Sequence, residues 1–482
     1  MGPAAWLGAA SPEERHRLSR PNILLINCDD LGYGDIGCYG SKVHGTPAID
    51  RMAAEGVRFT DFYMAAACCS PSRAAMMTGC RPQRIGLQAG HKAGVLEPCD
   101  PIGLSPDEIT VADLLKRQGY ATKIIGKWHC GDQPPFLPTR HGFDSYYGLP
   151  YSNDMRMTRN FPDTPPLPLL RDEEVVEAEP NQASLTERYT EEAVRFLRQH
   201  REGPFLLYFA HMYVHGPIQV PQRFLSRSRD EHYGAAVEHI DFVAAALFHE
   251  LKRLGLDEST LVVFTSDNGA NRKRADFGSN LPLLGYKGSS WEGGHRVPCI
   301  MRWPGRIPAG SVCPEVATAM DFLPTFTRLA GGEPPTDRII DGKDIRSLMT
   351  GEPGAKSPYD AHFYYHANTL CAIRMGDWKL HLTAPKVPNG PGGEKRDLHP
   401  DMLFNLREDI GETTDAAQKH PDVVARLKAR ADICRRDLGD QATGARGENR
   451  RPAGRVDDPK PLTRYDPAQP YMHDPFLAAA YD

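Results

Sequence analysis

Acidic and amide side chains follow two of the apolar runs in this sequence, at the points where strands would end. Asp29 and Asp30 come just after the run NILLIN, and Asp267 and Asn268 come just after LVVFT. In an open α/β sheet, ligands bind at the carboxyl ends of the strands, so these groups are expected to meet. Carboxylate and amide oxygens are hard donors that suit Ca²⁺ or Mg²⁺. Either pair alone is as typical of a turn, but two pairs on one sheet favour a metal site.

Lysines and histidines recur at the ends of other apolar runs. Lys127 and His129 follow ATKII, His211 and His215 follow FLLYF, and Lys287 lies in GYKGSSWEGGHRVP. Any one of these side chains is more often a surface or packing residue than a catalytic one. Their recurrence at strand ends favours a site in which cations surround an anion and imidazoles transfer protons.

The segment CCSPSRAAMMTG combines two thiols with the start of a helix. Pro71 is typical of a first helical turn, so Cys69 is expected near the N-cap. Free backbone N–H groups and the positive end of the helix dipole favour anions there. Arg73 adds a fixed cation with a fork of donors. The alternative is an unmodified reactive thiol or a buried structural cysteine.

The surrounding elements predict an α/β fold with a large, mixed, mostly parallel sheet flanked by helices. Short apolar segments predict buried parallel strands at Asn22–Asn27, Ala121–Ile125, Phe205–Phe209, Leu261–Thr265 and Val297–Arg302. Helical patterns lie between them, at Val111–Gln118 before Gly119 and at Ala235–Leu254 before Gly255. Strands that alternate with helices are typical of a doubly wound sheet.

The pattern changes after about Pro353. His362–His366 and Ala372–Leu382 predict strands of a small antiparallel sheet, and Pro421–Leu438 predicts an amphipathic helix. The last forty residues are rich in Pro, Arg and Asp, which predicts either a disordered tail or an extended arm anchored by aromatic residues. The expected division is an N-terminal extension (1–20), a catalytic α/β domain (21–352), a C-terminal subdomain of antiparallel sheet plus helix (353–440) and a tail (441–482).

Composition excludes several classes of protein. The net charge of −5 over 482 residues argues against a general nucleic-acid binder, and no apolar run has the roughly 18 residues of a membrane span. The N-terminus has no basic residue before its short apolar patch, so it is a poor secretory signal. The 11 cysteines have no regular spacing, which indicates free thiols and a cytoplasmic protein. If a signal has been removed, a periplasmic or secreted location is expected instead.

The sequence resembles the type I sulfatases, which are formylglycine-dependent members of the alkaline phosphatase superfamily. Cys69-Ser70-Pro71-Ser72-Arg73, followed by Met77-Thr78-Gly79, matches their C-x-P-S-R…(L/M)-T-G signature. The resemblance runs from Asn22 to about Glu412 through segments such as PNILLINCDDLGYGDIGCYG and LFNLREDIGE, and it is closest to the arylsulfatase and N-acetylgalactosamine-sulfatase branch. It implies an alkaline-phosphatase-like fold and oxidation of Cys69 to the Cα-formylglycine nucleophile. Reading from Cys68 would put Ser70 where the proline must be.

The resemblance also implies roles for the charged residues at the strand ends. The family's ligands for one Ca²⁺ ion match Asp29, Asp30, Asp267 and Asn268. The sulfate-binding lysines match Lys127 and Lys287, and the residue that orients the formylglycine matches Arg73. A maturation enzyme, of the formylglycine-generating or the radical type, is an implied partner.

The histidines complete the implied hydrolysis of a sulfate monoester by S–O cleavage. One hydroxyl of the formylglycine hydrate attacks sulfur, and His215 protonates the departing alcohol, with His211 as the rival for that role. His129 then takes a proton from the second hydroxyl. A phosphonate monoester or phosphodiester hydrolase using the same site is one alternative, because the two transfers share geometry and charge demands. A sulfated-glycan binder without turnover is another.

The expected substrate is a sulfated carbohydrate, such as a glycosaminoglycan fragment, or an aryl sulfate. A basic rim is predicted around the pocket mouth, formed by His91, Lys92, Arg272, Lys273, Arg274 and His366. Such a rim would recruit a substrate that carries a second anion, whereas the alternative is a solvated basic turn. The stretch Pro150–Asn181 is rich in prolines and charges and predicts a long surface insertion that shapes specificity.

Overall fold

The computed structural model describes residues 20–92, 94–156, 163–225, 231–271, 278–384 and 398–465. The strands in chain order are β1 (Asn22–Cys28), β2 (Val57–Phe59), β3 (Phe62–Tyr63), β4 (Ile102–Gly103), β5 (Ala121–Gly126), β6 (Ser145–Gly148), β7 (Pro168–Arg171), β8 (Glu174–Ala178), β9 (Phe205–Ala210), β10 (Thr260–Ser266), β11 (Cys299–Arg302), β12 (Ser311–Cys313), β13 (Ala317–Thr318), β14 (His362–His366), β15 (Thr369–Met375), β16 (Trp378–His381), β17 (Leu403–Asn405) and β18 (Gly454–Arg455).

The α-helices cover the sheets and connect their strands. In chain order they are α1 (Pro47–Ala54), α2 (Cys69–Thr78), α3 (Val111–Arg117), α4 (Gln182–Gln199), α5 (Gln222–Leu225), α6 (Glu231–Arg253), α7 (Glu292–His295), α8 (Phe322–Leu329), α9 (Arg346–Thr350) and α10 (Pro421–Leu438). Among the described residues, no helix combines the length and apolar character that crossing a bilayer requires.

A ten-stranded mixed sheet forms the centre of the molecule, in the order β12-β2-β11-β10-β1-β9-β5-β6-β7-β8. The five strands from β10 to β6 are parallel to one another, whereas β11, β7 and β8 run antiparallel to their neighbours. A separate four-stranded antiparallel sheet has the order β14-β15-β16-β17. The predicted fold class is therefore confirmed.

Both faces of the central sheet are buried, which explains the unbroken apolar runs of its strands. In β1, Ile23 and Leu25 face one core, and Leu24 and Ile26 face the other. Helices α2, α3 and α8 contribute to the first core, and α4 and α6 contribute to the second. Because the central strands are parallel, their carboxyl ends lie along one edge, where polar residues collect.

The predicted parallel strand at Val297–Arg302 is wrong in direction. The strand is β11, and it runs antiparallel to β10 and β2. Among the described residues between β10 and β11, the only helix is the four-residue α7, which is too short for the crossover that a parallel strand needs. A buried antiparallel strand is as apolar as a parallel one, and the sequence pattern does not distinguish the two.

Two other predicted segments contain more secondary structure than the sequence indicates. The single strand predicted at Ala372–Leu382 is instead a hairpin of β15 and β16, which turns at Gly376 with a φ of 57°. The predicted surface insertion Pro150–Asn181 contains β7 and β8, which extend the central sheet, and Leu169 and Leu170 are buried. Among the described prolines of that stretch, Pro168 begins β7 and Pro180 follows β8, and at neither position is a missing N–H costly to the sheet.

The C-terminal sheet packs against α10, as the periodicity predicts. The apolar stripe of this helix is buried along its whole length, at Val423, Leu427, Ala431, Cys434 and Leu438. These side chains form one core with residues of β14, β15, β16 and β17.

Buried charges join the C-terminal sheet to the segment that follows Lys287. The Nζ of Lys379 lies 3.0 Å from a carboxylate oxygen of Glu292 and 2.9 Å from one of Glu412, and all three side chains are fully buried. Tyr63 and Tyr364 each donate a 2.6 Å hydrogen bond to Glu292. A buried charge is tolerated only when it is paired and hydrogen-bonded, so this cluster fixes α7 against the C-terminal sheet.

Loss of the buried lysine is expected to destabilise the fold. Lys379→Met should lower the free energy of unfolding by about 3–5 kcal/mol, because Glu292 and Glu412 would remain buried without the lysine they share, with Arg296 and His381 respectively still beside them. The matched control is Lys356→Met, which removes a 79% exposed lysine paired with Glu315 and should change that free energy by less than about 1 kcal/mol. Urea denaturation at unchanged m-value measures both, and equal midpoint shifts would contradict the prediction.

The tail up to residue 465 is an extended arm. Strand β18 pairs antiparallel with β4, Arg451 forms an ion pair with Glu108, and the backbone of Lys460 bonds to the side chain of Gln133. The described part of the arm is anchored by backbone pairing and arginine, and its one aromatic side chain, Tyr465, is 45% exposed. Residues 466–482 and 1–19 lie outside the described residues.

Candidate active site

The acidic residues predicted as metal ligands meet at the carboxyl edge of the central sheet. Register places Cys28 beside Ser266, and the backbone N–H of Asp267 donates to the Cys28 carbonyl at 3.0 Å. Carboxylate oxygens of Asp29, Asp30 and Asp267 and the Sγ of Cys69 all lie within 4.8 Å of one another. Two strands and the start of α2 therefore converge on one point.

A residue in the left-handed backbone conformation brings two successive carboxylates to this point. Asp30 has a φ of 62°, a conformation that aspartate adopts more readily than most residues. In a continuing strand, the side chains of Asp29 and Asp30 would point to opposite faces of the sheet. The turn after β1 lets both face the same site.

Cys69 is the first residue of α2, and Cys68 is the N-cap. The sequence predicts Cys69 near the N-cap, and in the structure it lies one position later, at the start of the helix. Pro71 does not distinguish these two positions, because a proline is tolerated anywhere in the first turn. The Cys69 side chain is 2% exposed, and its Sγ lies 3.4 Å from Asp29 Oδ1. Burial, reinforced by the Asp29 charge, raises the pKa of this thiol well above its usual value. The unmodified group is therefore a poor nucleophile, since the thiolate is the reactive form.

Arg73 ties the helix to two strand ends. Its Nε donates to Asp267 Oδ2 at 2.8 Å, its Nη1 donates to the Lys127 carbonyl at 2.8 Å, and its Nη2 lies 3.7 Å from Asp29 Oδ2. Burial lowers the pKa of Arg73, but the negative groups around it, Asp267 first among them, together leave that pKa well above its usual range. Among the described residues, Nη2 has no hydrogen-bond partner and can donate to an anion at residue 69.

The two lysines pair with the carboxylates next to Cys69. Lys127 Nζ lies 2.6 Å from Asp29 Oδ2, and Lys287 Nζ lies 2.7 Å from Asp30 Oδ1. Burial lowers the pKa of each lysine, but the negative groups nearby together raise it above its usual value, with Asp29 the largest of them for Lys127 and Asp30 for Lys287. Both lysines are therefore charged. With Arg73 and Asp267, the site has three cations against three carboxylates, so a divalent cation would create the positive excess that an anion needs.

The donor set fits a hard divalent cation. The side-chain oxygen of Asn268 is buried and has no partner among the described residues, although its Nδ2 donates to Asp30 at 2.7 Å. Leaving such an acceptor unsatisfied is costly, and a cation would satisfy it. Burial and the neighbouring Asp29 charge raise the pKa of Asp267 to about 6. A cation would relieve this crowding of carboxylates.

His129 presents one nitrogen without a partner. Its Nε2 lies 2.9 Å from the carbonyl oxygen of Leu96. Because a carbonyl only accepts, Nε2 carries the proton and Nδ1 has the free lone pair; Nδ1 is buried and unpartnered among the described residues. Burial, followed by the charge of Lys127, lowers the pKa of His129 well below its usual value. The neutral ring can therefore accept a proton at Nδ1.

Of the two rival histidines, the structure brings His215 to the thiol. A ring nitrogen of His215 lies within 4.8 Å of both Cys69 Sγ and an oxygen of Asp30. Its Nδ1 lies 2.6 Å from the Gly216 carbonyl and must donate to it, so Nε2, which lies 3.9 Å from Asp30 Oδ2, is the nitrogen that can gain or lose a proton. His211 is 1% exposed, its ring lies near those of Phe209 and Tyr213, and burial lowers its pKa to about 3.

Three of the six residues predicted to form the basic rim belong to the described part of the chain. His91, Lys92 and His366 are exposed side chains. Arg272, Lys273 and Arg274 lie outside the described residues.

Two residues that contribute to the site, Ser152 and Leu96, are not predicted from the sequence. Ser152 Oγ lies 3.2 Å from Lys127 Nζ and 3.5 Å from His215 Nδ1. Ser152 comes shortly after the short strand β6. The sequence of that strand, SYYG, is a weak indication of a strand, although the polar residues Tyr151-Ser152-Asn153 do follow it. The carbonyl of Leu96 acts through the backbone, so no side-chain motif marks it.

Comparison with known families covers most of the chain. The family described as "Sulfatase" matches residues 21–332, the "C-terminal region of aryl-sulfatase" matches residues 357–453, and "N-sulphoglucosamine sulphohydrolase, C-terminal" matches residues 287–380.

Individual proteins show the same likeness. The N-acetylgalactosamine-6-sulfatase of Canis lupus familiaris is 41% identical over 401 residues, which is 79% of this chain and 74% of the relative. Arylsulfatase A of Bos taurus is 39% identical over 442 residues, covering 85% of this chain and 84% of the relative. The crystal structure of the PsFucS1 sulfatase from Pseudoalteromonas sp. superposes with a TM-score of 0.76 at 28% identity, covering 88% of this chain and 94% of that one.

Proposed function

The chain belongs to the sulfatase family, and on that premise we propose that it hydrolyses sulfate monoesters by S–O cleavage through a Cα-formylglycine formed at Cys69. The observation that carries this proposal is the position of Cys69, at the start of α2 and within 4.8 Å of three carboxylates. Arg73, Lys127 and Lys287 surround that cluster. A buried group placed among so many fixed charges suits the transfer of an anion.

We propose Ca²⁺ as the metal, held by Asp29, Asp30, Asp267 and Asn268. Four protein oxygen donors suit Ca²⁺, whereas Mg²⁺ usually keeps several waters and takes fewer protein ligands. When bound, the ion supplies charge neutralisation for sulfate oxygens and for the reacting oxygen at residue 69. The unpartnered oxygen of Asn268 supports its place in this ligand set.

The cations of the chain bind the sulfate group. Lys127 and Lys287 each have three N–H donors, so each can contact a sulfate oxygen while it keeps its bond to Asp29 or Asp30. Arg73 holds its position through Asp267 and the backbone of Lys127, and its Nη2 lies 3.7 Å from Asp29, the carboxylate that Cys69 contacts. The formylglycine, once formed, supplies a hydrated aldehyde whose two hydroxyls serve attack and release.

Proton transfer is divided between the two histidines. His215 donates the Nε2 proton to the departing alcohol, because its Nδ1 is already committed to the Gly216 carbonyl. His129 accepts a proton at Nδ1, because its Nε2 is committed to Leu96. Each ring thus has one nitrogen committed to a backbone carbonyl, so the other nitrogen exchanges the proton. The proposed acid, His215, acts with both nitrogens protonated, and the proposed base, His129, acts as the neutral ring.

A sulfated sugar is the proposed substrate, with an aryl sulfate as the second choice. The canine relative is an N-acetylgalactosamine-6-sulfatase and the bovine relative is an arylsulfatase. The basic side chains predicted at the mouth support a substrate that carries a second anion, because clustered cations raise the local concentration of anions.

The test combines substrate comparison with mass spectrometry. Sulfate release is measured from N-acetylgalactosamine 6-sulfate, its 4-sulfate isomer and nitrophenyl sulfate, alongside hydrolysis of phenyl phosphonate. We expect sulfate release to be fastest from a sugar sulfate, and we expect the peptide containing residue 69 to carry an aldehyde. Normal desulfation without the aldehyde would exclude the formylglycine. Faster phosphonate hydrolysis, or binding of sulfated sugar without sulfate release, would favour the alternative functions.

A further inference from the structure

The C-terminal arm contacts the catalytic part of the chain beyond the last family match. That match ends at residue 453, and the described part of the arm continues to residue 465. Gly454 and Arg455 pair with Gly103 and Ile102, and the Val456 N–H donates to the Pro101 carbonyl at 2.8 Å. The arm therefore adds a short strand beside β4, which directly follows the active-site loop of residues 94–101.

A buried glutamine holds the arm further along. The Lys460 N–H donates to Gln133 Oε1 at 2.8 Å, and Gln133 Nε2 donates to the Lys460 carbonyl at 3.0 Å. The amide of Gln133 thus pairs with the backbone of Lys460 as a neighbouring strand would. The side chain of Gln133 is 2% exposed, so this pair is shielded from water.

The same glutamine is connected to the active-site loop through Asp132. Gln133 Nε2 also donates to Asp132 Oδ1 at 2.9 Å, and Asp132 Oδ2 accepts the Cys99 N–H at 2.8 Å. Cys99 has a φ of 63°, a costly conformation for a cysteine, so the loop needs this external partner to keep its path.

Three residues before Cys99, the loop contacts the catalytic machinery directly. The Leu96 carbonyl accepts the Nε2 proton of His129, and the Leu96 N–H donates to Ser70 Oγ at 3.1 Å on α2. One loop residue thus fixes the tautomer of His129 and contacts the helix that begins with Cys69. A continuous set of contacts leads from Lys460 to the proposed base.

We propose that Asp132 and Gln133 are positioning residues, through which the C-terminal arm holds the Leu96 carbonyl and so orients His129. This inference rests on the proposed role of His129 as the base. It assigns the arm a part in turnover rather than in substrate binding, because the contacts lead to the proton acceptor. A small misplacement of a catalytic group can cost about 100-fold in rate.

The packing of the arm leaves no space for a side chain at residue 454. A Cβ on Gly454 would lie 2.6 Å from a ring carbon of Phe136 and 2.9 Å from the Ser105 Cα. Gly454→Val therefore provides a way to displace the arm without changing Asp132, Gln133 or His129.

The first experiment compares kcat and KM on nitrophenyl sulfate. Asp132→Ala should lower kcat by about 10–100-fold with KM changed less than about twofold. Asp132→Asn keeps an oxygen acceptor for the Cys99 N–H and should recover most of that loss. Gly454→Val should lower kcat in the same direction. The control Asp458→Asn removes a 79% exposed carboxylate of the same arm and should leave both constants unchanged.

A double-mutant cycle separates positioning from general loss of structure. If Asp132 acts through His129, Asp132→Ala should lower kcat less than about twofold further in a His129→Ala background. Should Asp132→Ala fail to fold, Gln133→Glu takes its place in the cycle, because it removes the donors to Asp132 and to the Lys460 carbonyl. If the wild type is active, two results would overturn the inference. One is additive losses of kcat in the cycle, and the other is an unchanged kcat in Asp132→Ala, Gln133→Glu and Gly454→Val. A wild type without the aldehyde at residue 69 would instead overturn the proposed function.

Discussion

Cys69→Ala is expected to lower kcat for sulfate-ester hydrolysis by at least about 10⁴-fold while the protein stays folded. The loss follows because residue 69 supplies the proposed nucleophile, and no other group in the cluster can form and release a covalent bond to sulfur. The fold survives because the Cys69 side chain makes one weak hydrogen bond among the described residues, 3.4 Å from Asp29 Oδ1, and alanine occupies less space. Sulfate release and thermal unfolding measure the two effects.

The neighbouring thiol provides the matched control. Cys68 is the N-cap of the same helix and lies one residue from the proposed nucleophile. Cys68→Ala should retain most of the activity and leave the aldehyde at residue 69 in place. If Cys68→Ala lost as much activity as Cys69→Ala, or if Cys69→Ala kept a tenth of the wild-type rate, the assignment of residue 69 would be wrong.

Much of the site could be predicted because its residues combine two local signals. A buried strand is visible as an apolar run, and a polar pair directly after it identifies the edge where ligands bind. Asp29 and Asp267 have both signals, and they lie together because β1 and β10 are parallel neighbours. No such signal indicates the direction of β11. A strand that is buried on both faces is apolar throughout, whether it runs parallel or antiparallel to its neighbours.

The contributors that escaped prediction act over long sequence separations through the backbone. Leu96 contacts His129 through a carbonyl, which every residue possesses, so its identity carries no information about this role. Lys460 contacts Gln133 across 327 positions through backbone atoms as well. The arm was predicted only as one of two alternatives, because composition alone does not show which buried donors and acceptors an extended segment would satisfy.

Removal of the divalent cation is the second change with a large expected effect. Metal assistance supplies several kcal/mol of transition-state stabilisation, so exhaustive chelation should lower kcat by about 10³-fold, and added Ca²⁺ should restore it. The protein should also lose stability, by about 2.7 kcal/mol relative to Ca²⁺ at 100 times its Kd. It should remain folded, because Lys127, Lys287 and Arg73 still pair with the three carboxylates.

Asp267→Asn tests the same site without a chelator. The amide keeps the size of the side chain and an oxygen that can accept from Arg73, but it removes one of the three negative charges that attract a cation. We expect the variant to lose both activity and the Ca²⁺-dependent rise in melting temperature, whereas Glu333→Gln, at a side chain that is 72% exposed, should lose neither. Full activity in protein shown by elemental analysis to contain no metal would exclude the metal site. A melting temperature that rises equally with Ca²⁺ in Asp267→Asn and in the wild type would place the bound ion elsewhere on the protein.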